Sequence, residues 1–428
     1  MGDAAAWKRV HPAIRRRFPR LEEDQFENRR LYLNSAAGSL MVDSAAHILS
    51  QAALTLNPMP GQVTPAERAT GDFHGSVRSL AADFLHARSP SEISFHVSST
   101  AALWALSYGM RSVLKPENGV VVTDLDHMAN ISPWEDFWGR ERGLNIRRAG
   151  VTPQGRLDVD HLLSIVDEKT GVLAVTMASN GLGTIVPLKD VVAAVKSKAP
   201  SCRVVVDAVH HALHGPINVG DIGCDALVFS GYKVFGPMIG VLWVQEDLAR
   251  LAEPYRVETN KNEPPYKFEM GMLNNAVLAS LEAALEYLLG LYEMLELGGS
   301  GKAEARPERF RSVLESVARY EAVITEIVLD GFRAFDPAAI RLFGLADPAL
   351  VSERDPTFAF EVRGRSAEET KLRLWRQHRI QIADGNHYSA AVVRHLGRPA
   401  VCRASFAHYD AADSARLLIE SLGDIVEK

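Results

Sequence analysis

Short, unbroken apolar runs alternate with amphipathic helical stretches along residues 90–245. Five such runs are Val120–Val122, Val172–Val175, Val204–Val206, Ala226–Phe229 and Val241–Val244. Continuous apolar runs bounded by turn residues are typical of strands buried on both faces of a sheet. Because helices separate these strands, the pattern predicts βαβ units and a mostly parallel sheet within an α/β fold.

A glycine-rich segment, Leu297–Gly301, interrupts the pattern and is typical of a flexible linker. The first 30 residues are polar and helical in character, and mixed helices and strands follow the linker. We therefore expect an N-terminal arm or helix over residues 1–30, a large domain over 31–297 and a smaller α+β C-terminal domain over 302–428.

Periodicity also predicts individual elements on either side of the large sheet. Apolar positions at helical spacing predict helices over residues 43–56, 73–87 and 307–330. Runs with strand character predict strands near 339–344 and 357–363. These two strands belong to the expected C-terminal domain.

The composition of the chain argues against several classes of protein. The chain has 428 residues, 47% of them hydrophobic, and a net charge of −6, which argues against a nucleic-acid-binding surface. No apolar run approaches the roughly 20 residues that span a bilayer, and no hydrophobic region follows the basic Arg15–Arg17. The three cysteines are sparse and odd in number, so we expect a cytoplasmic protein without disulfides.

Two ionisable residues end neighbouring apolar runs. Asp207 closes the run Val204–Val206, and Lys233 follows the run Ala226–Phe229. If both runs are strands of one sheet, the two side chains project towards a shared site. Buried charges are costly unless paired, so this arrangement favours a ligand that needs both residues. Pyridoxal phosphate (PLP) has an aldehyde for the lysine and a ring nitrogen for the aspartate.

The segments around these residues resemble the class V aminotransferases, and most closely their cysteine desulfurase-like subgroup. The matching blocks include Asp207–His210, Ser230–Lys233 and Gly236–Pro237, and the resemblance runs from about Leu31 to the C-terminus. It implies the PLP-dependent transferase fold type I, with a large domain built on a mostly parallel sheet and a smaller α+β C-terminal domain. It also implies a homodimer.

The resemblance implies a set of cofactor-binding residues. Lys233 would form the Schiff base, Asp207 would lie under the pyridine nitrogen and His127 would stack on the ring. Met272 replaces a family threonine that reaches the partner subunit's phosphate, so Asn274 is the candidate substitute. The other implied cofactor ligands are Ser99, Thr100, Asn180, His210, Ser230 and Tyr232.

Substrate contacts are implied at three places. Arg403 would hold the α-carboxylate, because a guanidinium matches a carboxylate with two parallel hydrogen bonds. Asn34 and Ala36 lie on a loop of small residues where backbone can approach a ligand closely. His387 and Tyr388 are candidate proton donors or substrate contacts.

The loop that contains Tyr388 departs from the desulfurase pattern. Desulfurases carry a cysteine there whose thiolate takes sulfur from the substrate. Tyr388 stands at that position, and none of the three cysteines lies in the loop Asp384–Ser389. Without a thiolate, we do not expect persulfide chemistry.

Three nearby histidines raise the question of a metal. His210 and His214 are four residues apart, as in the zinc-binding helix of metalloproteases. No glutamate lies between them and Gly215–Pro216 ends the segment, so we expect no metal here.

These features predict a PLP enzyme that acts on a small amino-acid substrate. We expect cleavage of a C–S bond by β-elimination of a cysteine S-conjugate in a tailoring pathway. The alternatives are an O2-dependent decarboxylating oxidase or monooxygenase, an aminotransferase and an epimerase. There are also two alternatives from other functional classes: a PLP-binding protein without turnover, and a metal hydrolase.

Overall fold

Helices and strands alternate through the computed structural model, which describes residues 2–56, 59–298 and 304–427. The helices are α1 (Gly2–Arg16), α2 (Asp43–Thr55), α3 (Pro65–Phe84), α4 (Ser99–Gly109), α5 (Val159–Ile165), α6 (Leu188–Lys198), α7 (Val219–Ile222), α8 (Glu246–Leu251), α9 (Asn275–Met294), α10 (Arg306–Ala334), α11 (Ala367–His378), α12 (Ala390–His395) and α13 (Ala412–Glu427). The strands are β1 (Leu31–Tyr32), β2 (Ile93–His96), β3 (Gly119–Thr123), β4 (Asn145–Ala149), β5 (Thr170–Thr176), β6 (Arg203–Asp207), β7 (Ala226–Ser230), β8 (Gly240–Val244), β9 (Ile340–Phe343), β10 (Thr357–Val362), β11 (Ile380–Gln381), β12 (Ala383–Gly385) and β13 (Val401–Ser405).

The central sheet has seven strands in the order β2-β8-β7-β6-β5-β3-β4. Strands β4, β3, β5, β6 and β7 pair in parallel, and β8 runs antiparallel to both of its neighbours. Thr176 lies beside Asp207, and Ser230 lies beside Gly240. The expected α/β fold with a mostly parallel sheet is therefore confirmed, and the parallel strands end along one edge.

Both faces of this sheet are covered by apolar side chains. In β6, Val204 and Val206 belong to one apolar core and Val205 belongs to another. Successive residues of a strand point to opposite faces, so a strand covered on both sides needs apolar residues at every position. This double burial is the physical reason for the unbroken apolar runs.

A second, four-stranded antiparallel sheet has the order β12-β13-β10-β9 and packs on α10, α11 and α13. Helix α10 links the two parts, because Phe310 lies in the core beside the central sheet and Val328 lies in the core of the second sheet. Residues 299–301 of the predicted linker lie outside the described residues. The division into domains at this linker remains a proposal.

The predicted helix over residues 73–87 was wrong in its start, because α3 begins at Pro65. Thr64 accepts a hydrogen bond from the backbone N–H of Glu67, whose carboxylate accepts one from Thr64 in return. This capping box, with proline in the first turn, favours the earlier start. The part of the chain that the structure describes contains no helix long and apolar enough to cross a membrane.

Candidate active site

A cavity of about 1140 Å³ lies where β5, β6 and β7 end. Parallel strands that end at one edge bring their last side chains together, which is where open α/β sheets bind ligands. The predicted site residues that line this cavity are Ala36, Ser99, Thr100, His127, Asn180, Asp207, His210, Ser230, Tyr232, Lys233, His387, Tyr388 and Arg403.

Lys233 lies buried in the wall of this cavity. It ends a single helical turn that follows β7, and its Nζ donates a hydrogen bond to the backbone oxygen of Ala36. Burial and the positive charge of Arg403 lower the pKa of Lys233 to about 7, although Asp207 opposes them. A lysine with this pKa is partly neutral near pH 7 and can attack an aldehyde.

Asp207 is buried at the end of β6. Its Oδ1 accepts a hydrogen bond from the backbone N–H of Val209 at 2.9 Å. Burial raises the pKa of Asp207 to about 6, while this hydrogen bond and Lys233 act in the opposite direction. The carboxylate is thus ionised at neutral pH in a place where a protonated ring nitrogen would compensate its charge.

The first turn of α4 forms one end of the cavity. Ser98 caps the helix by accepting a hydrogen bond from the N–H of Ala101 at 3.1 Å. The Oγ of Ser99 lies 2.6 Å from the Oγ of Ser230 and donates to the backbone oxygen of Phe229 at 2.8 Å. Thr100 is exposed to the cavity. Hydroxyls, free N–H groups and the helix dipole make this end suitable for a phosphate.

Gly240, which the sequence argument overlooked, allows this helix start to approach the sheet. A Cβ atom at position 240 would lie 2.3 Å from the carbonyl carbon of Ser98 and 2.5 Å from the nitrogen of Ser99. Both are backbone atoms, so a side chain would push the start of α4 away from β8. The signal in the sequence is weak, because many glycines occur at strand ends.

We expect Gly240→Ala to weaken cofactor binding at least about tenfold and to cost about 2 kcal/mol of stability, because the start of α4 must move. Cofactor titration and thermal unfolding measure these effects. Gly290→Ala in α9 is the matched control, since an added Cβ there meets nothing within 4 Å and alanine favours helix. Equal cofactor affinity in the two variants would contradict the assigned role of Gly240.

His127 follows β3 and faces the cavity. Its Nδ1 accepts a hydrogen bond from the N–H of Ala129 at 3.0 Å, and its ring centroid lies 5.6 Å from that of Tyr388. Burial, with the charges of Lys233 and Arg403, lowers the pKa of His127 to about 4. The imidazole is therefore neutral at pH 7, which suits a stacking partner for an electron-poor ring.

The loop with His387 and Tyr388 has an unusual backbone. The two residues have φ values of +53° and +56°, in the left-handed region that residues other than glycine rarely adopt. The N–H of Met128 donates to the backbone oxygen of Tyr388, and the side-chain amide of Asn180 donates to that of His387, both at 2.8 Å. These contacts hold the Tyr388 side chain, 72% exposed, at the cavity mouth.

The two side chains of this loop differ in what they can do. The Nε2 of His387 donates to the backbone oxygen of Val401 at 3.1 Å, and burial lowers the pKa of His387 to about 3. His387 therefore anchors the loop as a neutral ring. Tyr388 is instead largely exposed where it lines the cavity.

Arg403 lies in the middle of β13, buried against the cavity. Its Nη1 donates to the backbone oxygen of Asn180 at 2.7 Å, and its buried Nε has no hydrogen-bond partner within the described residues. Burial lowers the pKa of Arg403 to about 10, so the guanidinium stays charged at neutral pH. A buried cation with free donors is suited to a carboxylate.

Two predicted site residues do not reach the cavity. Asn34 forms a backbone bridge with Ser405 and is not among the residues that line the cavity. Asn274 caps α9 by accepting a hydrogen bond from the N–H of Val277 at 3.1 Å. In its own chain Asn274 therefore lies apart from the cavity.

Other lining residues were missed by sequence reasoning. Thr176 could have been found, because it ends the apolar run of β5 and so lies next to Asp207; its hydroxyl donates to the backbone oxygen of Ala178 at 2.8 Å. The sequence around the other missed lining residues gives no comparable indication of their position. They include Trp104, Met128, Ser132, Met238 and Asn386.

The family model described as Aminotransferase class-V matches residues 31–308. The chain belongs to the class-V aminotransferase family. It is 30% identical over 432 residues to a cysteine desulfurase of Pectobacterium atrosepticum, with 96% of each chain covered. A cysteine desulfurase of Yersinia pestis is 30% identical over 428 residues, again with 96% of each covered.

Solved structures share the fold of this chain. An apo cysteine desulfurase from Thermococcus onnurineus superimposes with a TM-score of 0.83 at 22% identity, covering 97% of this chain and 98% of that one. A cysteine desulfurase from Escherichia coli gives 0.80 at 21% identity with the same coverage. The PLP-dependent transferase fold type I is thereby confirmed.

The cavity fits the family's cofactor, and the protein is a PLP-dependent enzyme that acts on an amino acid. Lys233 would bind the aldehyde, Asp207 the ring nitrogen, and the first turn of α4 with Ser230 the phosphate. His210 supports the fit, since both of its buried ring nitrogens lack partners within the described residues. When bound, the cofactor supplies a ring that withdraws electrons from the substrate's α-carbon.

Proposed function

We propose that this enzyme cleaves the C–S bond of a cysteine S-conjugate by β-elimination, yielding a thiol, pyruvate and ammonia with the uptake of one water. The observation that carries the proposal is a cavity that combines Lys233, Asp207 and Arg403 with a tyrosine in the loop at its mouth. Its described wall contains no cysteine. The curated relatives named cysteine desulfurases support chemistry at a C–S bond.

Each of the site residues has a separate role in this reaction. Arg403 holds the substrate α-carboxylate and so orients the α-carbon. Lys233 would hold the cofactor's aldehyde, and its free Nζ would accept the α-proton, for which a pKa of about 7 is suitable. Tyr388 donates its hydroxyl proton to the departing sulfur, and His127 would lie against the ring of the bound cofactor.

The cysteines support the distinction from a desulfurase. Cys202, Cys224 and Cys402 are all buried and unpaired. Burial raises the pKa of each thiol to about 12, so none forms a reactive thiolate at neutral pH. Unpaired cysteines also support the proposal of a reducing, cytoplasmic location.

The reaction is tested by incubating the holoenzyme with S-alkyl and S-aryl cysteines. We expect thiol and pyruvate in equal amounts, without hydrogen peroxide. Carbon dioxide with hydrogen peroxide would identify a decarboxylating oxidase instead, and amino transfer to an added keto acid would identify an aminotransferase. Alanine formed from free cysteine would identify a desulfurase.

We expect Tyr388→Phe to slow thiol release by about 10²-fold with little change in KM, because proton donation to sulfur is lost. Stopped-flow detection of the thiol measures this rate. Tyr255→Phe is the matched control, since Tyr255 is exposed and does not line the cavity. Unchanged release in Tyr388→Phe would remove Tyr388 from the mechanism.

We also propose that the enzyme is a homodimer. Large apolar side chains are exposed around the cavity mouth and on the segment before α9: Val97 (83%), Met238 (69%), Met270 (66%) and Met272 (69%). Such exposure on a folded protein marks an interaction surface. A second copy would cover these side chains and could bring Asn274 to the partner's phosphate site. Light scattering that finds an active 46.9 kDa monomer would contradict the dimer.

A further inference from the structure

A cluster of buried histidines and carboxylates lies behind the cavity wall. Its members are His210, His211, His214, Glu321 and Asp355, each at most 7% exposed. The histidines follow β6 in the part of the chain that carries Lys233. Glu321 lies in α10 and Asp355 just before β10, so the carboxylates come from the elements that build the second sheet and its core.

The contacts within the cluster join the two parts of the chain. The Nδ1 of His214 lies 2.8 Å from Oε2 of Glu321, and the Nδ1 of His211 lies 3.0 Å from Oδ1 of Asp355. The rings of His210 and His214 are 5.3 Å apart between centroids. The Nε2 of His210 is 4.0 Å from Oδ2 of Asp355. A shift of about 1 Å would make the last contact an ordinary charge-assisted hydrogen bond.

Several polar atoms of this cluster have no partner among the described residues. They are both ring nitrogens of His210, the Nε2 of His214 and the Oε1 of Glu321. Buried polar atoms without a hydrogen bond are rare because they are costly. Only His210 also lines the cavity, so a ligand there would complete its hydrogen bonding on one side.

We propose that Glu321 and Asp355 are positioning residues of the active site: Glu321 holds His214, whose ring packs against that of His210, and Asp355 places a carboxylate near the Nε2 of His210, so that the two acids set the position and the charge environment of His210 at the cavity wall. The proposal rests on the proposed function in that His210 faces the bound cofactor. In this arrangement, the cavity wall at His210 depends on how α10 and the segment before β10 pack against it.

The charges around the cluster agree with this role. Burial lowers the pKa of His214, but the carboxylates of Glu321 and Asp355 outweigh it and raise that pKa above its ordinary value. Burial raises the pKa of Glu321 to about 7. Among the described residues, the other charged or titratable groups that face the cluster are Lys233, Tyr320, Arg354, Arg403, His408, Tyr409 and Asp410.

The direction of the expected shift in the pH midpoint follows from the negative charge of the two carboxylates. Replacing either acid by its amide removes a negative charge near the cavity and makes the local potential more positive. Ionisable groups near the cavity, including the bound cofactor, then lose their protons at lower pH. We expect Glu321→Gln and Asp355→Asn each to lower the pH midpoint of the bound cofactor's visible absorption band by about half a unit or more.

The experiment is a spectral pH titration of the holoenzymes, with thermal unfolding alongside. Asp225→Asn is the matched control, because Asp225 is also a buried carboxylate, accepts a hydrogen bond from Arg203 at 2.8 Å and does not line the cavity. We expect it to lower stability without moving the midpoint. Should one acid variant fail to fold, the other carries the test.

Two other results have clear meanings. A normal band with an unmoved midpoint in both acid variants overturns this inference and leaves the proposed function intact, whereas no visible band in the wild type overturns the proposed function itself. His210, His214 and Asp355 each offer an atom within 4.8 Å of the others. Stoichiometric zinc in the wild type, lost in Asp355→Asn, would identify a metal site and overturn the positioning role.

Discussion

Lys233→Ala is expected to abolish the visible absorption band of the bound cofactor and to reduce turnover by about 10³-fold or more. The reason is that Lys233 provides both the amine for the aldehyde and the base for the α-proton. Its burial and its lowered pKa prepare it for both roles. Absorption spectroscopy after reconstitution, followed by the thiol assay, measures the two losses.

The matched control for this variant is Lys267→Ala. Lys233 and Lys267 are each 4% exposed, and the Nζ of Lys267 also donates to a backbone oxygen, that of Arg250 at 3.0 Å. Lys267 does not line the cavity. Its replacement should change stability but leave the visible band. A band that survives in Lys233→Ala would show that another amine holds the cofactor.

Arg403→Lys is expected to lower kcat/KM by about 10²-fold, mainly through a higher KM. A lysine keeps the charge but not the planar fork that matches a carboxylate, and its shorter reach also loses the contact with the backbone oxygen of Asn180. The cofactor band should be unchanged, because Arg403 is assigned to the substrate. Steady-state kinetics with one cysteine conjugate measures the effect.

A surface arginine provides the comparison for this change. Arg398 pairs with the carboxylate of Glu361 and does not itself line the cavity, so Arg398→Lys should leave both kinetic constants within about twofold. A conjugate that lacks the α-carboxylate should react equally poorly with wild type and Arg403→Lys. If the variant still discriminates between the two substrates as strongly as wild type, Arg403 does not hold the carboxylate.

The sequence alone predicted the sheet, which is confirmed, and the ionisable residues that we propose for the chemistry along its edge. Strands buried on both faces require unbroken apolar runs, and such runs are visible without any knowledge of distant contacts. The residues at their ends, Asp207 and Lys233, must then point to one edge of a parallel sheet. Local signals of this kind depend on neighbours within a few positions, which is why they can be read from the chain.

Tertiary structure alone decided which distant residues complete the site. Asp355 lies 144 positions from His211, and Gly240 meets the backbone of Ser98 from another strand. It also decided that Asn274 caps a helix of its own chain. Such relations depend on how α10 and the second sheet dock against the first. No residue spacing encodes that docking, because it arises from the packing of whole elements rather than from neighbouring side chains.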